Sequence, residues 1–183
     1  MRAFVGIPLD GSEAEALLDV QGRIAVGREV PAANLHLTLA FLDDQPVEML
    51  EALHEELELI RQSQFELHLK GMDIFGAPRS RSFGLLAAPD PVLMALQADV
   101  AQAARRLGIG LEKRRFRPHV TLSRFRDGKQ PPERVQAALS RGASLEIDPI
   151  LVSEIALYRS SLTSEGAVYE VLSSYPLLVQ GLS

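Results

Sequence analysis

The sequence predicts a fold of alternating strands and helices arranged as two similar lobes, and three observations carry that expectation. Short apolar runs with strand-like alternation are separated by longer runs with helical spacing, with turn residues between them. A strand ending in proline, a helix and a strand containing His-x-Thr then occur twice, first at His36-Leu37-Thr38 and again at His119-Val120-Thr121. The intervals nearly match: 28 residues separate Pro8 from His36 and 30 separate Pro89 from His119. Two copies suggest a pseudo-symmetric pair of lobes within one domain spanning residues 1–183, because a solenoid needs more copies to bury its faces.

The elements follow in order. Ala3 to Leu9 reads as a strand, and Ser12 with Glu15 three positions later reads as a capping box opening a helix to about Ala25. Residues 35–42 form the next strand. Asp43 and Asp44 are placed to cap a helix that starts around Pro46 and carries Val47, Leu50, Leu53, Leu57 and Ile60 on one side. Residues 65–69 alternate as a strand, and so do Ser82 to Ala87. The third helix is capped by Asp90, has Pro91 in its first turn, lines one face with Leu93, Leu96, Val100, Ala104 and Leu107, and stops at Gly108. A strand at 119–125, a short helix from Pro131 and strands near 144–151, 153–160 and 167–173 complete the chain.

Composition narrows the function classes. With 46% hydrophobic and 23% charged residues the chain has the make-up of a globular domain, and no apolar run approaches the roughly 20 residues that cross a bilayer. Pro8, Asp10 and Gly11 interrupt the N-terminal apolar stretch before a signal-peptide core forms, so a cytoplasmic protein with no membrane partner is expected. The absence of cysteine excludes disulfides and thiolate chemistry. A net charge of −5 argues against a general nucleic-acid coat protein. It hides a cluster, however, because nine of the 19 Lys and Arg residues fall between Arg105 and Lys129. That segment is either a solvated basic loop or an anion site.

On a strand, residues two apart share a face. His36 and Thr38 therefore lie opposite Leu35, Leu37 and Leu39, and His119 and Thr121 lie opposite Val120 and Leu122. One H-x-T is a weak signal, since a lone histidine among apolar residues is usually a core or surface group. Two copies at matching places, in a chain with three threonines and four histidines, are a much stronger one. His54, among helical glutamates, and His68, without a hydroxyl partner at that spacing, fail the test. Two imidazoles near neutrality can divide the roles of base and acid, which suits phosphodiester cleavage without a metal. A zinc enzyme would want a third ligand, and no carboxylate accompanies either motif at suitable spacing. A Ser-His-Asp hydrolase is disfavoured by the lack of a G-x-S-x-G elbow.

The segments LeuHisLeuThrLeuAlaPheLeu and ArgProHisValThrLeuSerArgPhe resemble the paired motifs of the two-histidine phosphoesterases, in particular the RNA 2',3'-cyclic phosphodiesterases once named 2'-5' RNA ligases. ArgAlaPheValGlyIlePro near the start, and TyrArgSerSerLeu, GlyAlaValTyrGluVal and TyrProLeu near the end, are similar to that family in order and spacing. The resemblance implies a bilobal α+β fold with two antiparallel sheets facing a central cleft and helices on the outside. It also implies opening of a terminal 2',3'-cyclic phosphate to a 2'-phosphate, with weak reverse 2'-5' joining. His36 would be the proton donor, His119 the proton acceptor, and Thr38 and Thr121 the phosphate ligands, with no cofactor and no metal. Phe41 and Arg124 would touch the nucleotide, although strict alternation turns both away from the histidines unless the strands bulge. Where relatives commonly carry glycine after PheLeu, this chain has Asp43. The partner would be an RNA end, a small cyclic nucleotide or a 2'-5' oligonucleotide, bound by a monomer. The alternative is a non-catalytic RNA-end binder working through the cationic segment 113–126.

Overall fold

The computed structural model describes residues 1–164 and 166–179. Its elements are β1 (Arg2–Pro8), α1 (Gly11–Ile24), β2 (Arg28–Glu29), a 3-10 turn (Ala32–Asn34), β3 (His36–Asp44), α2 (Val47–Glu58), β4 (Phe65–Leu67), β5 (Leu69–Ala77), β6 (Ser80–Ala87), α3 (Pro91–Arg106), β7 (His119–Phe125), α4 (Pro132–Gly142), β8 (Ile150–Val152), β9 (Glu154–Thr163) and β10 (Gly166–Pro176). This is the expected α+β class, with one large and one small antiparallel sheet. The small sheet pairs β4 with β8, and the large one runs β10-β9-β1-β3-β7-β6-β5 with β2 beside β7. Both H-x-T strands lie in the large sheet. Its two halves meet where β3 and β7 share a single register pair, Leu37 with Val120.

That pair anchors the sheet to the core. Leu37, Leu39, Val120 and Leu122 are buried in one apolar cluster with Leu17 and Val20 of α1, Leu53 and Leu57 of α2, and Leu93, Leu96 and Val100 of α3. Burying whole Leu and Val side chains stabilises by about 1.5–3 kcal/mol each, which makes this face of β3 and β7 the fixed one. The opposite face is open and carries a small cluster of its own, Phe4, Ala156 and Tyr158 with Tyr169 against them.

Both motif strands bulge after the threonine. Along β1 and β3 the register passes from Gly6 with Thr38 to Val5 with Ala40, so β3 holds one extra residue. Along β6 and β7 it passes from Gly84 with Thr121 to Phe83 with Ser123, with the same insertion. An extra residue resets the alternation. Leu39 and Ala40 are both buried before Phe41 emerges, and Leu122 and Ser123 are both buried before Arg124 emerges. Phe41 and Arg124 thus share the face of the histidines, against the strict alternation expected of an unbroken strand.

Other expectations need correction. The capping box does not form: α1 starts after Asp10, whose side chain makes no cap bond, and the Ser12 hydroxyl donates to Glu13 instead. Asp43 and Asp44 do not cap α2. They end β3, and Pro46 occupies the cap position without a side-chain bond. Asp43 sits at φ 55°, in the left-handed region that favours glycine. The strand expected over 65–69 is interrupted at His68, where β4 ends and β5 begins. The β5–β6 hairpin over 69–87 is longer than expected, and β8 is only three residues long. The third helix is as expected, with Asp90 accepting from the backbone N–H groups of Val92 and Leu93. His54 is not simply solvated, since its Nδ1 lies 2.9 Å from the Tyr175 hydroxyl. Among the described residues no helix is long and apolar enough to cross a membrane.

Candidate active site

The site grows from the register pair at the centre of the sheet. In an antiparallel pair, stepping back along one strand means stepping forward along its partner. With Leu37 opposite Val120, continuing that register sets His36 across from Thr121 and Thr38 across from His119 on the same face. The two motifs therefore cross head to tail on the open face. The two histidines are diagonal neighbours, a relation that spans roughly 7–8 Å between Cα atoms in a regular pair.

Each imidazole is tied back from one nitrogen. His36 Nδ1 lies 2.7 Å from the Asn34 carbonyl oxygen, and His119 Nδ1 lies 2.8 Å from that of Arg117. A carbonyl only accepts, so both rings carry their proton on Nδ1 when neutral and present Nε2 as a lone pair. His36 Nε2 accepts from the Thr38 hydroxyl at 3.0 Å. Each ring also rests on an aromatic one. Phe4 lies tilted against His36 with centroids 4.6 Å apart, and Phe75 stacks on His119 at 3.6 Å and 9°. Tyr158 stacks on the Phe4 ring, while Tyr169 meets Phe4 and His36 edge-on.

Space for these rings comes from two strand glycines at equivalent register positions, Gly6 opposite Thr38 and Gly84 opposite Thr121. A Cβ at position 84 would lie 2.7 Å from Phe75 Cε2 and 2.8 Å from His119 Cδ2. One at position 6 would lie 2.9 Å from the Leu37 carbonyl oxygen.

A groove of about 520 Å³, open to solvent, runs beside this centre; it is lined by His36, Thr121, Arg124, Asn34, Arg28 and Tyr169 among others. Thr38 adjoins it through its bond with His36. Phe41, 55% exposed, stands beside Phe4 with ring centroids 6.1 Å apart. His119 is near enough that charge on its ring opposes charge on His36. Of the six residues named from the sequence, His36, Thr121 and Arg124 line the groove, while Thr38, His119 and Phe41 lie beside it and not in its lining.

The electrostatics of the site favour the neutral form of both rings. Burial pushes His36 from 6.5 down to about 4, outweighing the lift from its bond to Asn34, and the charges of Arg124 and His119 push the same way. His119 is also lowered, by burial first and then by Arg117 and Arg124, against the lift from the Arg117 carbonyl. Among the described residues no three His, Asp or Glu side chains gather as ligands for a metal ion. What the groove offers is cationic and hydroxyl groups, which suit an anion.

Sequence reasoning missed the residues that hold the imidazoles: Phe4, Phe75, Asn34, Tyr158, Tyr169, Gly6 and Gly84. One signal was available. Glycine inside a strand marks a bulge or the close approach of another group, and both glycines stand inside runs read as strands.

The sequence profile of the 2'-5' RNA ligase superfamily matches residues 20–163. An RNA 2',3'-cyclic phosphodiesterase of Thermus thermophilus is 32% identical over 191 aligned residues, covering 97% of this chain and 90% of that protein. One of Geobacillus stearothermophilus is 29% identical over 96% of this chain, which spans only 57% of that relative's length. The crystal structure of Escherichia coli LigT complexed with 3'-AMP is similar with a TM-score of 0.79 at 27% identity, covering 96% of this chain and 97% of that one. The chain belongs to the 2'-5' RNA ligase superfamily, as the paired motifs suggested.

Proposed function

We propose that this protein is an RNA 2',3'-cyclic phosphodiesterase that works through His36 and His119 without a metal, as one domain of two pseudo-symmetric lobes. The observation that carries the reading is the juxtaposition of the two motifs across the Leu37–Val120 pair, with each imidazole fixed by its Nδ1–H and with His36, Thr121 and Arg124 lining one open groove. The phosphate of a cyclic end sits between the rings. His119 Nε2 accepts a proton from water, the water oxygen bonds to phosphorus, and the bond from phosphorus to the 3'-oxygen breaks. His36 Nε2–H gives its proton to that oxygen, leaving a 2'-phosphomonoester and a 3'-hydroxyl. Thr38, Thr121 and Arg124 hold the non-bridging oxygens in line. Phe41 offers a surface for the base. With a 5'-hydroxyl in place of water, the same steps join two RNA ends by a 2'-5' bond. Small cyclic nucleotides fit the same chemistry, which reads the phosphate and its ribose. The relatives named as RNA 2',3'-cyclic phosphodiesterases support the reaction class.

Neutral His36 must gain its proton as substrate docks. A phosphodiester carries negative charge into the site, opposing the effect of Arg124 and His119 on that ring. The pH profile alone does not assign the roles, because a proton on either ring gives the same macroscopic behaviour. The leaving group does. The purified protein, with chelator present, should convert a nucleoside 2',3'-cyclic phosphate to the 2'-monophosphate, and His36→Ala and His119→Ala should each lower kcat by about 10²–10⁴. Replacing the bridging 3'-oxygen by sulfur, which leaves without a proton, should restore turnover to His36→Ala and not to His119→Ala. Full activity in either alanine variant on the oxygen substrate, or loss of turnover with chelator, overturns the proposal. Tight RNA-end binding without turnover supports the non-catalytic alternative.

A further inference from the structure

The sequence marked Arg117 only as part of a cationic run, and the reaction above does not use it. In the structure its guanidinium lies 4.8 Å from the centre of the Phe75 ring, which is itself stacked on His119. Asp73 Oδ2 accepts from Arg117 Nη2 at 2.7 Å, and Arg117 in turn holds the Asp73 carboxyl below the usual carboxylate range. The backbone carbonyl of Arg117 accepts the Nδ1–H of His119. One residue therefore grips the imidazole twice, by its carbonyl at the ring edge and by its side chain through Phe75. Gly84 leaves the space that this stack needs.

His36 has no such arrangement. Its backing ring, Phe4, is stacked on Tyr158 rather than against a cation, and the Asn34 side chain is spent on the Ala167 carbonyl oxygen at 2.7 Å. Among the described residues, the charged and titratable groups around His119 are Arg117 before β7, Arg124 on β7, Asp73 on β5 through Arg117, and His36 on β3, while on β6 Gly84 lies against the ring.

We propose that Asp73, Arg117 and Phe75 form a clamp that positions His119, fixing its ring plane and tautomer for the proton-accepting role. The cation disfavours a second positive charge on the adjacent imidazole, while Asp73 keeps that cation from turning toward the substrate. Arg117 is thus a positioning residue, and the inference rests on the two-histidine reading given above.

The test follows the imidazoles of full-length protein by NMR titration, beside steady-state kinetics on a nucleoside 2',3'-cyclic phosphate. Arg117→Gln should raise the His119 titration toward 6.5 while leaving that of His36 in place, which also shows that the fold survives. In the same variant kcat should fall about 10- to 100-fold with KM within about twofold, as expected for a misplaced catalytic ring. Asp73→Asn should lower kcat in the same way, with KM again unchanged. Arg117→Lys should keep the His119 titration low, because the charge is retained, and recover part of kcat. An unchanged His119 titration in Arg117→Gln overturns the proposal, as does a loss confined to KM, which would make Arg117 a phosphate ligand. If wild-type protein shows no turnover at all, the reaction proposed above fails, and the titration and tautomer of His119 in Arg117→Gln still decide the clamp.

Discussion

The two half-sites share a plan and differ in their surroundings. Each has a histidine tied through Nδ1 to the carbonyl two residues earlier, a threonine two residues later, a glycine opposite that threonine and a bulge directly after it. Around His36 the neighbours are rings: Phe4, Tyr158 and Tyr169. Around His119 they are one ring and one cation, Phe75 and Arg117. The deep aromatic setting pushes His36 down to about 4. Matching backbone geometry therefore places the two imidazoles on one face of the sheet, while the side chains behind them differ.

The most severe way to break the comparison is to fill the two glycine positions. Alanine at 84 meets two side chains, Phe75 and His119, both within 3 Å of the new methyl group, and the imidazole must move. Alanine at 6 meets the Leu37 carbonyl oxygen first, with the His36 ring at an ordinary 3.5 Å. Gly84→Ala should therefore lower kcat by about 100-fold, the scale of a 1 Å misplacement, with little loss of stability. Gly6→Ala should destabilise by about 1–3 kcal/mol and spare more of kcat, because strand backbone rather than a catalytic ring gives way. Urea unfolding beside steady-state kinetics separates the two, and equal kcat losses would mean that position 84 does not govern His119.

The second test uses pH. The folded value of His36, about 4, lies below its unfolded 6.5, so between these pH values the unfolded chain takes up a proton that the folded one resists. Stability present above pH 6.5 is then lost as pH falls through the window toward 4. Full burial would make this about 3 kcal/mol, and the ring is only half-buried, so about 1–2 kcal/mol is expected. His36→Gln should flatten the loss of stability between pH 7 and pH 4.5 by that amount relative to wild type. His119→Gln should flatten it less. Identical pH dependence in wild type and His36→Gln would show that His36 titrates normally.

Much of this plan was legible in the sequence. The core faces of β3 and β7 follow from alternation, and the register of Leu37 with Val120 turns that alternation into a shared site. What hid were the bulges. Leu39-Ala40 and Leu122-Ser123 are small or apolar enough to pass as a continuing buried strand, so the inserted residue leaves no mark on a period-2 pattern. Strict alternation turned Phe41 and Arg124 away from the histidines unless the strands bulged, and the bulges bring both onto the histidine face. Phe4 and Phe75 lay beyond local reading for another reason. They come to the histidines through strand pairing, Phe4 from β1 and Phe75 from the hairpin that brings β5 against β6, contacts that no short spacing encodes. The end of β3 misled in the opposite sense, since Asp43 and Asp44 have the chemistry of caps while β3 runs through both.

The finest difference is at the threonines. The Thr38 hydroxyl donates to His36 Nε2, and among the described residues no matching bond joins Thr121 to His119. When His36 gains its proton, Nε2–H becomes a donor and the Thr38 hydroxyl must turn. In the proposed reaction its hydrogen is then free for a phosphoryl oxygen, which would couple protonation of the acid to capture of the phosphate at this half-site. Thr121 would offer its hydroxyl to the phosphate without that coupling. Thr38→Val removes two roles and Thr121→Val one, and at about 1 kcal/mol for a typical hydrogen bond the kcat loss should be about fivefold greater at 38 than at 121. Steady-state kinetics of both variants at one pH measures the ratio. Equal losses would show that the 3.0 Å contact is broken once substrate is bound and that the hydroxyls act alike.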